Sequence, residues 1–286
     1  MVEDVLEYSK HGKFRYIVDH INMWPYQSFG NPGKLPVVFV HGFLGAGSDW
    51  QQVARTLTNE YYCICPDLPG HGGNTNLSRD RNMNISFYVE GLIDFLNVLE
   101  IEKIVLVGYS MGGRIALATA VSFPERVNLL VLESAHPGIE FENERNARAA
   151  LDAERSANLV EIGIENFVDQ WYQMGLFRTL QDHPLLLAAL LEKRKENNPI
   201  WAAKVLREMS PGRQPSLWGR LGELEMAVML VAGEHDQKYS NVLTQAGKII
   251  ANAMVKIVPQ AGHNVHLEQP EYFVDLLKGF LEKNIN

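Results

Sequence analysis

Short apolar runs alternate with longer stretches of helical period along most of the chain. Val37-Val38-Phe39-Val40 reads as a strand, and residues 48–58 read as a helix. Residues 61–65 form the next strand, and 85–100 carry Phe87, Leu92, Phe95, Leu96 and Leu99 at helical spacing. Strand 103–107, helix 111–122 and strand 128–133 follow. Further on, Val228-Met229-Leu230-Val231 reads as a strand, 240–251 as a helix, Val255-Lys256-Ile257-Val258 as a strand and 268–282 as a closing helix. Residues 13–30 are expected to add an antiparallel start. Strands rich in Val and Ile, separated by helices, predict an α/β architecture: a mostly parallel sheet with both faces covered.

The alternation breaks between residues 137 and 215, which read as several helices without a convincing strand. This stretch carries or adjoins Arg145, Arg148, Arg155, Trp171, Tyr172, Phe177, Arg194, Trp201, Arg207 and Trp218. It leaves the sheet just after a strand end, where open α/β sheets place their ligand crevice. The expected organisation is a core of residues 1–136 and 216–286, with a helical cap, 137–215, laid over the site.

The candidate chemistry begins with Gly108-Tyr109-Ser110-Met111-Gly112, which sits between strand 103–107 and helix 111–122. A serine at a sharp strand-to-helix turn is held clear of its neighbours, and flanking glycines relieve the crowding. Such a hydroxyl needs a base, and the base needs an acid to fix its tautomer and stabilise its charge. His263 follows the last strand and Asp236 follows the one before it. The order Ser, Asp, His is that of an α/β-hydrolase. Glu234 competes for the role of acid but lies closer to its strand end. His266 and His235 are rival histidines, and His41, His71 and His136 more often brace a backbone turn than move protons. The amide of Met111, at a helix start, and that of Phe43, in His41-Gly42-Phe43-Leu44-Gly45, are the candidate donors of an oxyanion hole.

Arg114 departs from a plain hydrolase. It lies four residues after Ser110 and should share its helix face. A cation in the first turn opposes the helix dipole at a cost of about 0.3–1 kcal/mol. An anionic partner, either a ligand or a nearby carboxylate, is expected to offset that cost.

Composition narrows the function. The 286 residues carry a formal net charge of −8, against the basic surface that non-specific nucleic-acid binding requires. No run approaches the ~20 apolar residues of a membrane span. The start, Met1-Val2-Glu3-Asp4, is acidic and lacks the apolar core of a secretory signal. Cys63 and Cys65 face the same side of a strand, too close for an unstrained disulfide, and are expected to be free and buried. Low cysteine use fits a reducing cytoplasm. Oligomeric state is left open, and a monomer is compatible with the sequence.

Most of the chain resembles a known family, the 2-succinyl-6-hydroxy-2,4-cyclohexadiene-1-carboxylate synthases of menaquinone and phylloquinone biosynthesis. These are lyases of the α/β-hydrolase fold, with a mostly parallel central sheet flanked by helices and a helical cap insertion. The matching segments are His41–Gly45 with Asp49-Trp50, Asp67–Gly72, Gly108–Arg114 and His136-Pro137-Gly138. Within the cap they are Glu144–Arg148, Trp171-Tyr172 with Phe177, Arg194 before Asn197-Asn198, and Gln214–Trp218; Ala261–Asn264 closes the set. The cap motifs and the serine block ending in Arg114 are the specific ones.

The resemblance implies a reaction. A proton is removed beside the succinyl ketone of 2-succinyl-5-enolpyruvyl-6-hydroxy-3-cyclohexene-1-carboxylate, and pyruvate is eliminated. Ser110 would take the proton, polarised by His263 and Asp236, while the Phe43 and Met111 amides hold the enolate oxygen. Arg114, Arg148 and Arg194 would pair with the carboxylates of this small polycarboxylate substrate, with Tyr109 and Trp171 lining the pocket. Neither a cofactor nor a metal is expected. Ser134-Ala135 stands where relatives commonly have glycines, which could alter the pocket floor. Two rivals share the fold: a hydrolase of carbon–carbon or ester bonds in an acidic substrate, and a ligand-binding receptor. A simple esterase does not need several cap arginines, and receptor caps are mostly apolar.

Overall fold

The computed structural model describes residues 23–78 and 80–285. The expected start at 13–30 and the acidic N-terminus lie largely outside them. Seven strands form one sheet: β1 (Tyr26–Phe29), β2 (Leu35–Val40), β3 (Tyr61–Pro66), β4 (Ile104–Tyr109), β5 (Val127–Glu133), β6 (Ala227–Gly233) and β7 (Ala253–Val258). Their order is β1-β3-β2-β4-β5-β6-β7. β1 pairs antiparallel with β3, and every other pairing is parallel. The helices are α1 (Gln51–Thr56), α2 (Ile85–Val98), α3 (Met111–Ser122), α4 (Glu142–Trp171), α5 (Pro184–Lys195), α6 (Pro199–Glu208), α7 (Gln237–Ile249), α8 (Val265–Glu268) and α9 (Pro270–Asn284).

The apolar strands are buried on both faces, and β4 shows how. Ile104 and Leu106 enter one core with Leu92 and Phe95 of α2 and Ile115 of α3. Val105 and Val107 enter the other with Val53 of α1 and Phe273 and Leu277 of α9. Alternate side chains of a strand point to opposite faces, so one apolar run serves two cores.

Between β5 and β6 the chain leaves the sheet for α4, α5 and α6. A third apolar cluster forms there from Leu159, Phe167, Val168, Tyr172, Leu180, Leu190 and Ala202, with Leu44 of the loop after β2 inserted among them. The two ends of this excursion are tied together. Leu217 donates its amide to the Pro137 carbonyl at 2.7 Å, and the Trp218 indole donates to the Gly138 carbonyl at 3.1 Å.

Element boundaries depart from the sequence reading where caps and prolines intervene. The helix expected at 48–58 is a 3-10 turn, Gly47–Trp50, running into the short α1. The helix expected at 240–251 begins at Gln237, because the Asp236 side chain accepts the Tyr239 amide and caps it. The closing helix expected at 268–282 is α9, which Pro270 opens after a non-helical Gln269 (φ −134°, ψ 60°), with the short α8 just before it.

Candidate active site

The turn from β4 to α3 holds Ser110 at φ 51°, ψ −109°, a backbone region that costs a non-glycine residue about 1–3 kcal/mol. The surroundings enforce it: the Ser110 amide donates to the Glu133 carbonyl of β5 at 2.8 Å. Glycines are required on both sides. A β-carbon at Gly108 would stand 2.5 Å from the Gly112 carbonyl oxygen, and one at Gly112 would strike the Val40 carbonyl.

The Ser110 hydroxyl lies 3.0 Å from Nε2 of His263, and His263 Nδ1 lies 2.6 Å from Oδ2 of Asp236. The carboxylate accepts from Nδ1–H, which leaves Nε2 as the acceptor for the serine proton. Both His263 and Asp236 are buried. Asp236 divides its oxygens, with Oδ1 on the Tyr239 amide at 3.3 Å and Oδ2 on the imidazole. The rings of Tyr239 and Tyr109 stand 4.7 and 5.4 Å from that of His263.

The competitors fall elsewhere. Glu234 is exposed and accepts the Gln260 amide at 3.1 Å, and His235 is exposed. His266 is buried against Glu133, 2.8 Å from its carboxylate, and stacks on Trp50 with ring centroids 4.0 Å apart. His41 Nε2 accepts the Leu68 amide at 3.0 Å, and His136 Nδ1 accepts the Gly138 amide at 3.0 Å. Burial holds His41 and His71 below the usual imidazole range. Burial, reinforced by Arg114, Lys238 and Arg148, lowers His136 to about 3.

The serine opens into a cavity of about 480 Å³ roofed by the excursion helices. Phe43, Tyr109, Met111, Arg114, Arg148, Trp171 and Arg194 all line it, together with Ser110, Asp236 and His263. Met111 opens α3, and the amides of a helix's first turn have no acceptor within the helix. Trp171 packs edge-on against Phe43, centroids 5.2 Å apart. The Tyr109 hydroxyl donates to Asn264 Oδ1 at 2.7 Å.

The three arginines are not bare charges. Arg194 makes a bidentate pair with Asp49, at 2.9 and 2.7 Å, and its Nε donates to the Tyr172 hydroxyl at 3.1 Å. Burial opposes both charges, yet mutual attraction prevails: Asp49 is held below the carboxylate range and Arg194 above its own. Arg148 pairs with the buried Asp152 at 2.7 Å, and Arg155 approaches the same carboxylate at 3.4 Å. Arg114 corrects the expectation of a nearby carboxylate, since among the described residues it makes no ion pair. It donates to the Met209 carbonyl at 2.9 Å and to the Gln214 side chain, both neutral, and burial lowers its pKa to about 10.

Sequence reasoning did not identify Asp49 or Asp152 as partners of these cations. Asp49-Trp50 was visible as a motif, but its partner lies 145 residues away. Several motif residues turn out to fix the cap: Asn197 donates to the Leu44 carbonyl at 2.9 Å, and the Asn198 side chain caps α6. Ser134 and Ala135 do not form the pocket floor. They are buried outside the cavity, with Ala135 packed where a β-carbon on Gly113 would stand. Cys63 and Cys65 are free and buried, and burial pushes the Cys63 thiol up to about 12. Among the described residues, no group of three or more His, Cys, Asp or Glu side chains is placed to hold a metal, and no helix is long and apolar enough to cross a membrane.

The sheet order, the strained serine and the helical excursion define an α/β hydrolase-fold protein, and the family model for the alpha/beta hydrolase fold matches residues 36–270. Within that class, the chain belongs to the 2-succinyl-6-hydroxy-2,4-cyclohexadiene-1-carboxylate synthase family. It is 36% identical to the protein of that name from Enterobacter sp. (strain 638) over 241 residues, 84% of this chain and 89% of the relative. It is 32% identical to the chloroplastic protein PHYLLO of Arabidopsis thaliana over 260 residues, 86% of this chain but 15% of that much longer protein. The structure of MenH from S. aureus superposes with a TM-score of 0.87 at 32% identity, covering 91% of this chain and 99% of that one.

Proposed function

We infer that this chain is a lyase that eliminates pyruvate from 2-succinyl-5-enolpyruvyl-6-hydroxy-3-cyclohexene-1-carboxylate, giving 2-succinyl-6-hydroxy-2,4-cyclohexadiene-1-carboxylate in menaquinone or phylloquinone biosynthesis. The observation that carries this reading is a serine 3.0 Å from a histidine base, opening into a cavity lined by four arginines. The names of the relatives support it.

The chemistry follows from charge. The proton leaves the ring carbon beside the succinyl ketone, and its electron pair moves toward the ketone oxygen. Ser110 takes that proton as its own passes to His263 Nε2, and Asp236 stabilises the imidazolium. The amides of Phe43 and Met111 stabilise the enolate oxygen. As the enolate collapses through the ring alkene, the carbon–oxygen bond to the enolpyruvyl group breaks. Pyruvate enolate departs and takes up a proton, leaving the diene. No bond forms between Ser110 and the substrate. Arg114, Arg148, Tyr109 and Trp171 hold and orient the ring and its carboxylates, while Arg194, expected from the resemblance to join them, has its fork filled by Asp49. The buried, free cysteines are consistent with a reducing cytoplasm as its compartment.

The test is incubation with the enolpyruvyl substrate while pyruvate is followed, beside a panel of simple esters. Pyruvate release without substrate-derived labelling of Ser110 supports elimination. A trapped acyl-serine, or turnover of esters alone, would assign the same site to hydrolysis.

A further inference from the structure

Five cations line the cavity, Arg114, Arg148, Arg155, Arg194 and Lys238, with three carboxylates, Asp49, Asp152 and Asp236. Every carboxylate is already committed, Asp49 to Arg194, Asp152 to Arg148 and Arg155, and Asp236 to His263. Of the cations, Arg194 has its fork filled by Asp49, and Arg114 donates to two neutral oxygens. Lys238 is different. Among the described residues it has no hydrogen bond and no ion pair, and its ammonium hangs 5.6 Å from the centroid of the Tyr239 ring.

Its position is also distinctive. Asp236 caps α7, so Lys238 leaves the first turn of that helix two residues beyond the triad acid. The Tyr239 ring beneath it stands 4.7 Å from the His263 ring. Lys238 is exposed at the edge of the cavity, which leaves its head free to swing toward an arriving anion. Partial burial, and after it the charge of Arg148, hold the ammonium below its usual range. A cation in that state gains from any carboxylate placed beside it.

We propose that Lys238 is a substrate-binding residue that takes one carboxylate of the substrate, and that the cavity's third carboxylate contact comes from Lys238 rather than from the already paired Arg194. This rests on the reading of the substrate as a polycarboxylate. Lys238 acts as a mobile point charge, whereas Arg194 bonds the cap to the core through Asp49. The two cations therefore separate into a binding role and a holding role.

The experiment compares Lys238→Gln, Lys238→Arg and wild type in the pyruvate-release assay. In Lys238→Gln, KM should rise about tenfold and kcat fall less than about threefold, the pattern of a lost charged contact made in both ground and transition states. The salt dependence of kcat/KM should become shallower, because one screened attraction is gone. Lys238→Arg should restore KM to within about threefold, since the charge is kept. An unchanged KM in Lys238→Gln overturns the proposal. So does a fall in kcat alone, which would mark Lys238 as support for Asp236.

A second measurement separates failure of the proposal from failure of the elimination reading. The stable diacid 2-(3-carboxypropanoyl)benzoate carries a ring carboxylate and a succinyl carboxylate but cannot react. Calorimetry should show Lys238→Gln binding it about tenfold more weakly than wild type. Equal affinity with an unchanged KM overturns the Lys238 assignment, whereas equal affinity with a raised KM puts its contact on the enolpyruvyl carboxylate, which the diacid lacks. Absence of pyruvate release from wild type that still binds the diacid in a Lys238-dependent way overturns only the elimination reading.

Discussion

Asp49, on the turn after β2, and Arg194, in the last turn of α5, meet through two parallel hydrogen bonds of 2.9 and 2.7 Å in a site nearly closed to solvent. The pair joins the sheet domain to the helical excursion with a fork geometry that only arginine provides. Removing one member strands a buried charge. Asp49→Asn should destabilise the protein by about 3–5 kcal/mol in denaturant unfolding. The double variant Asp49→Asn with Arg194→Gln should be less destabilised than the two single effects added. Strict additivity would show that the pair is not coupled.

The same pair sets a pH dependence. The folded-state pKa of Asp49 is depressed below its unfolded value of about 3.9. Arg194, raised by its partner, stays charged throughout. The stabilisation is therefore present above about pH 4 and lost as pH falls through the folded pKa. Unfolding free energy followed from pH 6 downward should drop more steeply below about pH 4 for wild type than for Asp49→Asn. Parallel curves would remove Asp49 as the cause.

Ser110, His263 and Asp236 should behave as one unit. Ser110→Ala and His263→Ala are each expected to lower kcat by at least ~10³, with little further loss in combination. Single-turnover pyruvate release measures this. Near-normal activity in Ser110→Ala would remove the serine from proton transfer.

Arg114 has neutral partners and so is the arginine freest to meet a substrate carboxylate with its full charge. Arg114→Ala should cost about 2–4 kcal/mol in kcat/KM, roughly 30- to 1000-fold. Arg114→Lys should recover only part of that, because a point charge does not reproduce the fork. Full efficiency in Arg114→Ala would rule out the contact.

The loop that carries His263 also touches the excursion. A β-carbon on Gly262 would collide with the Thr179 side chain. Gly262→Ala should therefore lower activity by displacing the imidazole or lifting the Thr179 turn, and Thr179→Ala should restore part of it by removing the obstructing atoms. A Gly262→Ala variant with normal kcat/KM would show that the contact yields freely.

The legible parts of this molecule were those written in local pattern. The buried strands are continuous apolar runs, and α3 spans Met111–Ser122 as its sequence predicts. The serine turn, its base and its acid could be read because each follows a strand. The charge balance of the cavity could not. Asp49 and Arg194 lie 145 residues apart, and Ser210 donates to Asp152 across 58 residues. No periodicity encodes such partners, and only the folded chain brings them together. Lys238 was hidden differently, since a lysine on a helix is ordinarily a solvated residue.

The carboxylate of Asp236 both starts a helix and orients the base, one oxygen for each task. That sharing couples the start of α7 to the orientation of the imidazole. The acid, the lysine and the tyrosine beside the imidazole lie within four consecutive positions, Asp236 to Tyr239. A substitution farther along the same helix, at Leu243 or Ala246 in the core, would act on all three through the packing of that helix. Proton-transfer geometry and anion affinity would then drift in concert, and selection could retune both from a position that never meets the substrate.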